Sequence, residues 1–366
     1  MRLSARLYRA DLHYAGGRAL RTATSGAVPH LAELYLVLET RDAHGLGEVR
    51  TNVAYLNRLE PHAVIADAVE AVSTAHWMLE PSVVLETLPR WAARRSAPVR
   101  MLVDMALHDL VAQRANVPLT AWLGGTSPAS YATNQTLFWS SLDDLLMDAG
   151  AYVDRGFRDL KVRTAVAPFA EDRRRLEALR DRFGSGITLA IDSNGQWAAS
   201  DALEHLRALA RFDLAYAEQP VPAGDWEAVR ILAAESPIPI MLDESIASLE
   251  DVDRAIALGG RAWCHLKLIK LGGISPVLEA ARRLSNAGVP FMIGQMNEGA
   301  AATAAALHVA TTVSPAFAEL YGADQLVDDP VAGIVYGRGN LSTTGASGLG
   351  VIFEPAKTVE LMRIDL

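Results

Sequence analysis

Lysine is scarce in this chain, and two of its lysines stand where proton chemistry would be done. Of the 34 Lys and Arg residues only Lys161, Lys267, Lys270 and Lys357 are lysine. A chain that uses arginine so freely keeps lysine where arginine cannot serve. Proton abstraction is one such place, because an ammonium gives up its proton when its pKa is depressed and a guanidinium does not. Lys161 opens the triplet Lys161-Val162-Arg163, and Lys267 closes Trp263-Cys264-His265-Leu266-Lys267. Between them lie Asp192 with Asn194, then Glu218, then Asp243 with Glu244. Carboxylates gathered in one desolvated place repel one another unless a cation joins them. All-oxygen ligation by Asp192, Glu218 and Asp243 favours Mg²⁺. A substrate carboxylate on such an ion takes up the charge of an enolate while flanking lysines move the proton. The pattern points to metal-assisted carbanion chemistry.

The elements that must bring these residues together are legible as short apolar strands followed by helices. From about residue 130, strand ends fall at Asn134, Arg163, Asp192, Glu218, Asp243, Lys267, Gly294 and Glu319. The repeat is about 25–29 residues, and helical stretches fill the intervals, among them Glu171 to Phe183, Ala202 to Ala210, Trp226 to Glu235 and Leu249 to Leu258. That repeat predicts a (β/α) barrel, whose strands deliver their C-terminal ends to one mouth. No Gly-rich dinucleotide fingerprint follows any strand, which speaks against an open doubly wound sheet. Lys161 and Arg163 are two apart and share one strand face, as do His265 and Lys267; the apolar Val162 and Leu266 take the other.

Residues 1–125 read differently. Leu3 to His13 and Ala32 to Thr40 alternate like antiparallel strands, with glycine-rich turns at Ala15-Gly16-Gly17 and His44-Gly45-Leu46-Gly47. Helices follow over roughly Pro61 to Leu79 and Val99 to Gln113. This predicts an α+β capping domain, completed by a tail over about 341–366 that contains strand-like Val351 to Phe353, with the barrel over 126–340. A net charge of −9 disfavours nucleic acid and anionic membranes as partners. No apolar run reaches the ~18–20 residues of a membrane span. The first residues alternate instead of forming a signal peptide's apolar core. Cys264 is the single cysteine, so no intrachain disulfide forms, and a cytoplasmic setting is the simplest expectation.

Four segments in order carry a family resemblance: Asp192-Ser193-Asn194-Gly195-Gln196-Trp197, Glu218-Gln219-Pro220, Asp243-Glu244-Ser245 and Lys267-Leu268-Ile269-Lys270-Leu271-Gly272-Gly273. Together they resemble the enolase superfamily, in its mandelate racemase/muconate lactonizing enzyme branch, over nearly the whole chain. The resemblance implies a modified TIM barrel under an α+β cap. It also implies Mg²⁺ on Asp192, Glu218 and Asp243, with Asn194 and Glu244 supporting them, and Lys267 as acid/base. Lys161 then matches the first lysine of a Lys-x-Lys pair near the substrate carboxylate. Glu298 matches a carboxylate after the seventh strand. Specificity loops are expected around Tyr14 to His30 and Thr51 to Asn57, with Thr51, Tyr55 and Tyr321 as substrate contacts and Asp324 beside them. Symmetric homo-oligomeric assembly follows from the same resemblance.

One position departs from the pattern. Arg163 stands where the second lysine of Lys-x-Lys, a base on the face opposite Lys267, is usual. Arginine stays protonated, so it binds a carboxylate or stabilises charge and does not abstract a proton. The expectation is therefore a one-base cycloisomerase or dehydratase acting on a small-molecule carboxylate. A racemase or epimerase of a carboxylate or amino-acid derivative is the alternative, with Lys161 as second base, and a catalytically silent metal-binding barrel is a third reading. Of the remaining candidates, His265 reads as a packed interior residue, Cys264 as a small buried hydrophobe, Trp197 and Trp263 as core. Lys270 reads as a helix-dipole or surface lysine, with Gly272-Gly273 opening a helix N-terminus that can hold an anion.

Overall fold

The structure is a computed structural model and describes residues 3–17, 19–22 and 24–365. The capping sheet is built from β1 (Ser4–Leu12), β2 (Leu31–Glu39) and β3 (His44–Arg50), all antiparallel. Three helices follow: α1 (Pro61–Thr74), α2 (Pro81–Trp91) and α3 (Ala97–Arg114). His44-Gly45-Leu46-Gly47, expected as a turn, is the start of β3. The reason is packing: a methyl on Gly45 or Gly47 would overlap the carbonyl of Ala106 or Leu102 on α3. The glycines let strand and helix backbones touch, which no larger residue permits.

The barrel strands are β4 (Gln135–Leu137), β5 (Asp159–Arg163), β6 (Thr188–Asp192), β7 (Leu214–Glu218), β8 (Ile240–Leu242), β9 (Ala262–Lys267), β10 (Phe291–Gly294) and β11 (Phe317–Glu319). They pair in chain order, every pair parallel. The strand ends match the sequence reading except at β4, where Asn134 precedes the strand, and at β8, which stops one residue before Asp243. The Asn134 amide instead donates to Ala318 O at 3.0 Å and closes the ring between β4 and β11. Between the strands run α4 (Leu142–Asp154), α5 (Phe169–Phe183), α6 (Ala199–Leu209), α7 (Trp226–Glu235), α8 (Leu249–Ala257), α9 (Ile274–Asn286) and α10 (Ala300–Val313). Ser141, Asp225 and Ser248 cap α4, α7 and α8 by accepting from amides three residues on, which fixes where those helices start. The tail returns to the cap: β12 (Val359–Asp365) pairs with β1. Among the described residues no helix is long and apolar enough to cross a membrane.

Two buried polar contacts fasten the cap and tail to the barrel. Asp104 of α3 accepts from Ile274 N at 2.5 Å and Ser275 Oγ at 2.8 Å at the N-terminus of α9. The anion expected at Gly272-Gly273 is therefore a carboxylate of the chain itself, and a side chain on Gly273 would collide with it. His308, inside α10, accepts from Thr120 N at 3.1 Å through Nδ1 and donates through Nε2 to Leu349 O at 3.0 Å. Those partners suit one neutral tautomer. Burial lowers the His308 pKa from 6.5 to about 4.

A folded-state pKa below the unfolded one means the unfolded chain binds more protons between the two values. The contribution of His308 is thus complete above pH 6.5 and is lost as pH falls through about 4. It amounts to about 3 kcal/mol. Urea unfolding of wild type and His308→Gln between pH 7 and 4 should show the wild type losing that much more stability than the variant. Equal losses would remove His308 as the sensitive group.

Candidate functional site

The strand ends place the charged side chains in one buried ring. Lys161 of β5 is fully buried; its Nζ lies 2.8 Å from Glu218 and 3.5 Å from Asp192, and it pairs with Glu319 of β11. Arg163, on the same strand face, pairs with Asp192 and donates to Asn194 Oδ1 at 3.2 Å, its guanidinium over the Phe138 ring at 5.8 Å. Glu218 and Asp192 are direct partners in the β6–β7 register. Lys267, ending β9, reaches Asp243 Oδ2 at 2.7 Å and Met296 Sδ at 3.4 Å. β5 and β9 are the second and sixth strands of eight, so Arg163 and Lys267 face each other across the mouth.

His265, two residues before Lys267, points inward and sits 3.0 Å from Glu218 Oε1 through Nδ1. Burial, then Lys267, lowers its pKa well below the usual value, so the neutral ring donates to the carboxylate. Its Nε2 has no partner and lies against Gly294, where a Cβ would overlap it. Burial also raises the carboxyl pKa values, and the neighbouring cations oppose it to different degrees. Asp192 settles at about 6 despite Arg163. Burial raises Asp243, but Lys267 and Lys270 outweigh it and hold its pKa well below the usual range. Burial lowers Lys161, yet Glu218, Glu319 and Asp192 outweigh it and hold its pKa well above the ordinary lysine value.

Above the ring is a pocket with about 470 Å³ of empty space, open solvent at its mouth included. Its floor includes Arg163, Lys267 and Glu319, and its roof is the capping domain, through Leu20, Val28 and Tyr55. Leu20, Phe138 and Asn297 also line an adjoining cavity that runs to Tyr321 and Asp324. Lys161 does not line either space.

The same fold occurs in known proteins. Residues 144–357 match the family model described as enolase C-terminal domain-like. An L-Lys-D/L-Arg epimerase of Methylococcus capsulatus is 32% identical over 73% of this chain and 74% of its own. A chloromuconate cycloisomerase of Pseudomonas putida is 30% identical over 67% of each. The crystal structure of a dipeptide epimerase from Methylococcus capsulatus, complexed with Mg and L-Arg-D-Lys, superposes with a TM-score of 0.87 at 26% identity, over 96% of this chain and 100% of that one. The chain belongs to the enolase superfamily. It is an enzyme of that superfamily's mandelate racemase/muconate lactonizing enzyme group, with the modified barrel and α+β cap that define its shape.

Within this superfamily frame, the structure brings together Lys161, Arg163, Asp192, Asn194, Glu218, Asp243, Glu244 and Lys267 at one mouth; Glu244 accepts from Asn194 Nδ2 at 3.1 Å. Tyr55 lines the main cavity and Tyr321 the adjoining one. Thr51 turns away and bonds Ala32 O at 3.0 Å. Glu298 is buried outside the cavity lining and accepts from Met296 N at 3.2 Å. Of the expected loop Tyr14 to His30, Arg18 and Ala23 lie outside the described residues. Lys270 is corrected: it is buried, and its Nζ lies 2.5 Å from both Asp243 Oδ1 and Asp243 O. The short helix Leu268–Leu271 folds it back under the strand end. Glu319 and Arg50 are the site residues that sequence reasoning passed over. Glu319 is marked in the sequence only as a strand end, and a carboxylate two strands from Lys161 around the ring is the available signal; Arg50 has none nearby.

Gly294 offers a direct check on the ring. In Gly294→Ala the new methyl would drive His265 off Glu218, and overpacking of this kind costs about 1–3 kcal/mol. Gly260→Ala, with nothing within 4 Å of the new methyl, should change stability by less than about 0.5 kcal/mol. Urea denaturation of both variants measures the difference; equal effects would show that the His265 position is not constrained.

Proposed function

We propose that this enzyme removes or delivers a proton at the carbon next to the carboxylate of a small molecule, with Mg²⁺ as cofactor and Lys267 as the single acid/base group. The observation that carries this reading is the pair facing across the mouth: an ammonium on one side and a guanidinium on the other. Of the two, only an ammonium can give up its proton to become a base; burial lowers the Lys267 pKa, yet Asp243, Glu319 and Glu218 outweigh it and hold it above the ordinary lysine value, so base chemistry requires those carboxylates to be engaged elsewhere. Cycloisomerisation and β-elimination both fit one base. In the first, Lys267 protonates the carbanion left when a carboxylate oxygen adds across a double bond. In the second, it takes the α-proton, a β-hydroxyl departs, and the lysine's proton leaves with it as water.

The donor set fits the metal. Asp192, Glu218 and Asp243 are buried carboxylates at the ends of adjacent strands, a hard oxygen set. Among the described residues, the ligand atoms that lie close enough together to hold an ion are those of Glu218, Asp243 and His265; Asp192 is not in that group and pairs with Arg163 instead. His265 is the poorer ligand, since Nδ1 is spent on Glu218 and Nε2 is shut against Gly294. When bound, Mg²⁺ supplies a Lewis acid that offsets charge on the substrate carboxylate. Arg163 holds positive charge beside it, Lys161 lies buried behind the cavity lining, and the capping residues Leu20, Val28 and Tyr55 cover the space.

A second reading, epimerase or racemase, is favoured by the relatives, most of which carry those names. It needs a base opposite Lys267. Lys161 is the candidate, but it is locked among Glu218, Asp192 and Glu319 and has no surface on the cavity.

Deuterium exchange in D₂O with Mg²⁺ separates the readings, using pooled sugar acids, amino-acid derivatives and diacids read by NMR. One-base chemistry labels a single enantiomer or yields a dehydrated or ring product; label in both enantiomers establishes the racemase. Lys267→Ala should lower exchange by about 10²–10⁴-fold. Survival of exchange would sink the role given to Lys267. Arg163→Lys should raise racemisation by supplying the second base. Mg²⁺ binding with no exchange in any pool would favour a silent barrel.

A further inference from the structure

Arg50 ends β3 in the capping domain and is 1% exposed, yet among the described residues no carboxylate pairs with it. Its donors go elsewhere. Nε donates to Asn52 Oδ1 at 2.7 Å, and one terminal nitrogen donates to Met296 O at 2.6 Å and Asn297 O at 3.3 Å. Each of those acceptors leads to a part of the site. Asn52 also accepts from Ala32 N and donates to His30 O, at the end of the segment that roofs the cavity. Asn297 donates to the Tyr14 hydroxyl, at the start of the same segment. Met296 puts its sulfur 3.4 Å from the Lys267 ammonium. One planar guanidinium therefore ties both ends of the roof to the loop that touches Lys267.

We propose that Arg50 is a positioning residue that couples the seating of segment 14–30 to the placement of Lys267, acting through Met296. The proposal rests on the reading of Lys267 as the acid/base group. Asp243 gives Lys267 its strong, charge-assisted bond, and a thioether adds direction with little charge. The sulfur stands on the cavity side, so it sets which way the ammonium leans. A lysine base must point within a fraction of an ångström of its proton, and a misplacement of 1 Å costs about 10²-fold. The fixed fork of Arg50 and its backbone carbonyl acceptors make this linkage stiff.

The economy of lysines makes the test direct. Protein grown with ¹³C,¹⁵N-lysine carries only four labelled side chains, and Lys267→Arg identifies the Lys267 signal. In the Mg²⁺-loaded protein without substrate, Arg50→Met and Met296→Leu should each move the Lys267 signal, and the double variant should move it no further. The Lys357 signal should stay in place. With a substrate found by exchange, Arg50→Met should lower kcat by about 10–100-fold. The double variant should lose no more than the worse single one, as expected for residues acting in series. A Lys267 signal that stays put in both single variants, or kcat losses that multiply, overturns the coupling. If Arg50→Met fails to fold, Met296→Leu and Asn52→Ala carry the same comparison. Exchange that survives Lys267→Ala would strike the acid/base reading, while the lysine spectra still judge Arg50.

Discussion

Buried like charge is the constraint around which this molecule is organised. Asp192, Glu218, Asp243 and Glu319 end strands or begin the loops after them, all at one desolvated mouth. Left unpaired, each would cost several kcal/mol. Lys161, Arg163, Lys267 and Lys270 answer them, four cations to four carboxylates, interleaved so that each carboxylate touches at least one cation. Balance of this kind leaves no room for a charge change at one residue alone. A divalent ion held by these carboxylates would leave the ring with surplus positive charge, which an anionic substrate would offset. The carboxylate substrate proposed above would in this sense suit the ring before any specificity contact is made.

The cap is held to the barrel by the same means, applied to helix ends. Asp104 meets the N-terminus of α9, and Glu48 of β3 accepts from Ala302 N at 2.7 Å near the start of α10. Asp109 of α3 accepts from Leu46 N and Leu349 N, joining cap helix, cap strand and tail. Amides and helix dipoles stand in for counter-ions here. Glu48 shows the limit of that substitution: burial raises its pKa well above the usual value, and Asp329 adds to the effect. The cap is thereby anchored over the later strands, β10 in particular, and only its loops are left to cover the mouth.

Much of this was legible because strand ends obey period and polarity together. Asp192, Glu218 and Lys267 each close an apolar run, so residue type and barrel register point to the same atom. Asn134 misled because a polar residue before a three-residue strand looks like its end; the bond it makes belongs to ring closure, 184 residues distant in sequence at Ala318. Lys270 misled for a related reason. Gly272 and Gly273 after it suggest an exposed turn, but Gly272 takes φ 96° to end a short helix folded back into the barrel, and Arg100 and Asp104 of the cap press on both glycines. Arg50 left no local trace at all, since its partners Met296 and Asn297 lie 246 and 247 residues away. Contacts between domains are what a single sequence hides best.

The scarcity of lysine bears on whether Arg163 is drift or function. Three of the four lysines are buried at the mouth, each on a carboxylate, where a compact ammonium fits. One terminal nitrogen of Arg163 meets both Asp192 and Asn194 Oδ1, and the guanidinium carbon stands 5.8 Å from the centre of the Phe138 ring. An ammonium can also bridge two acceptors, as Lys270 does with Asp243, so the contacts alone do not set Arg163 apart from a lysine. Its permanent charge does, and that is the physical case for a fixed positive charge on this side of the mouth and a mobile proton on the other.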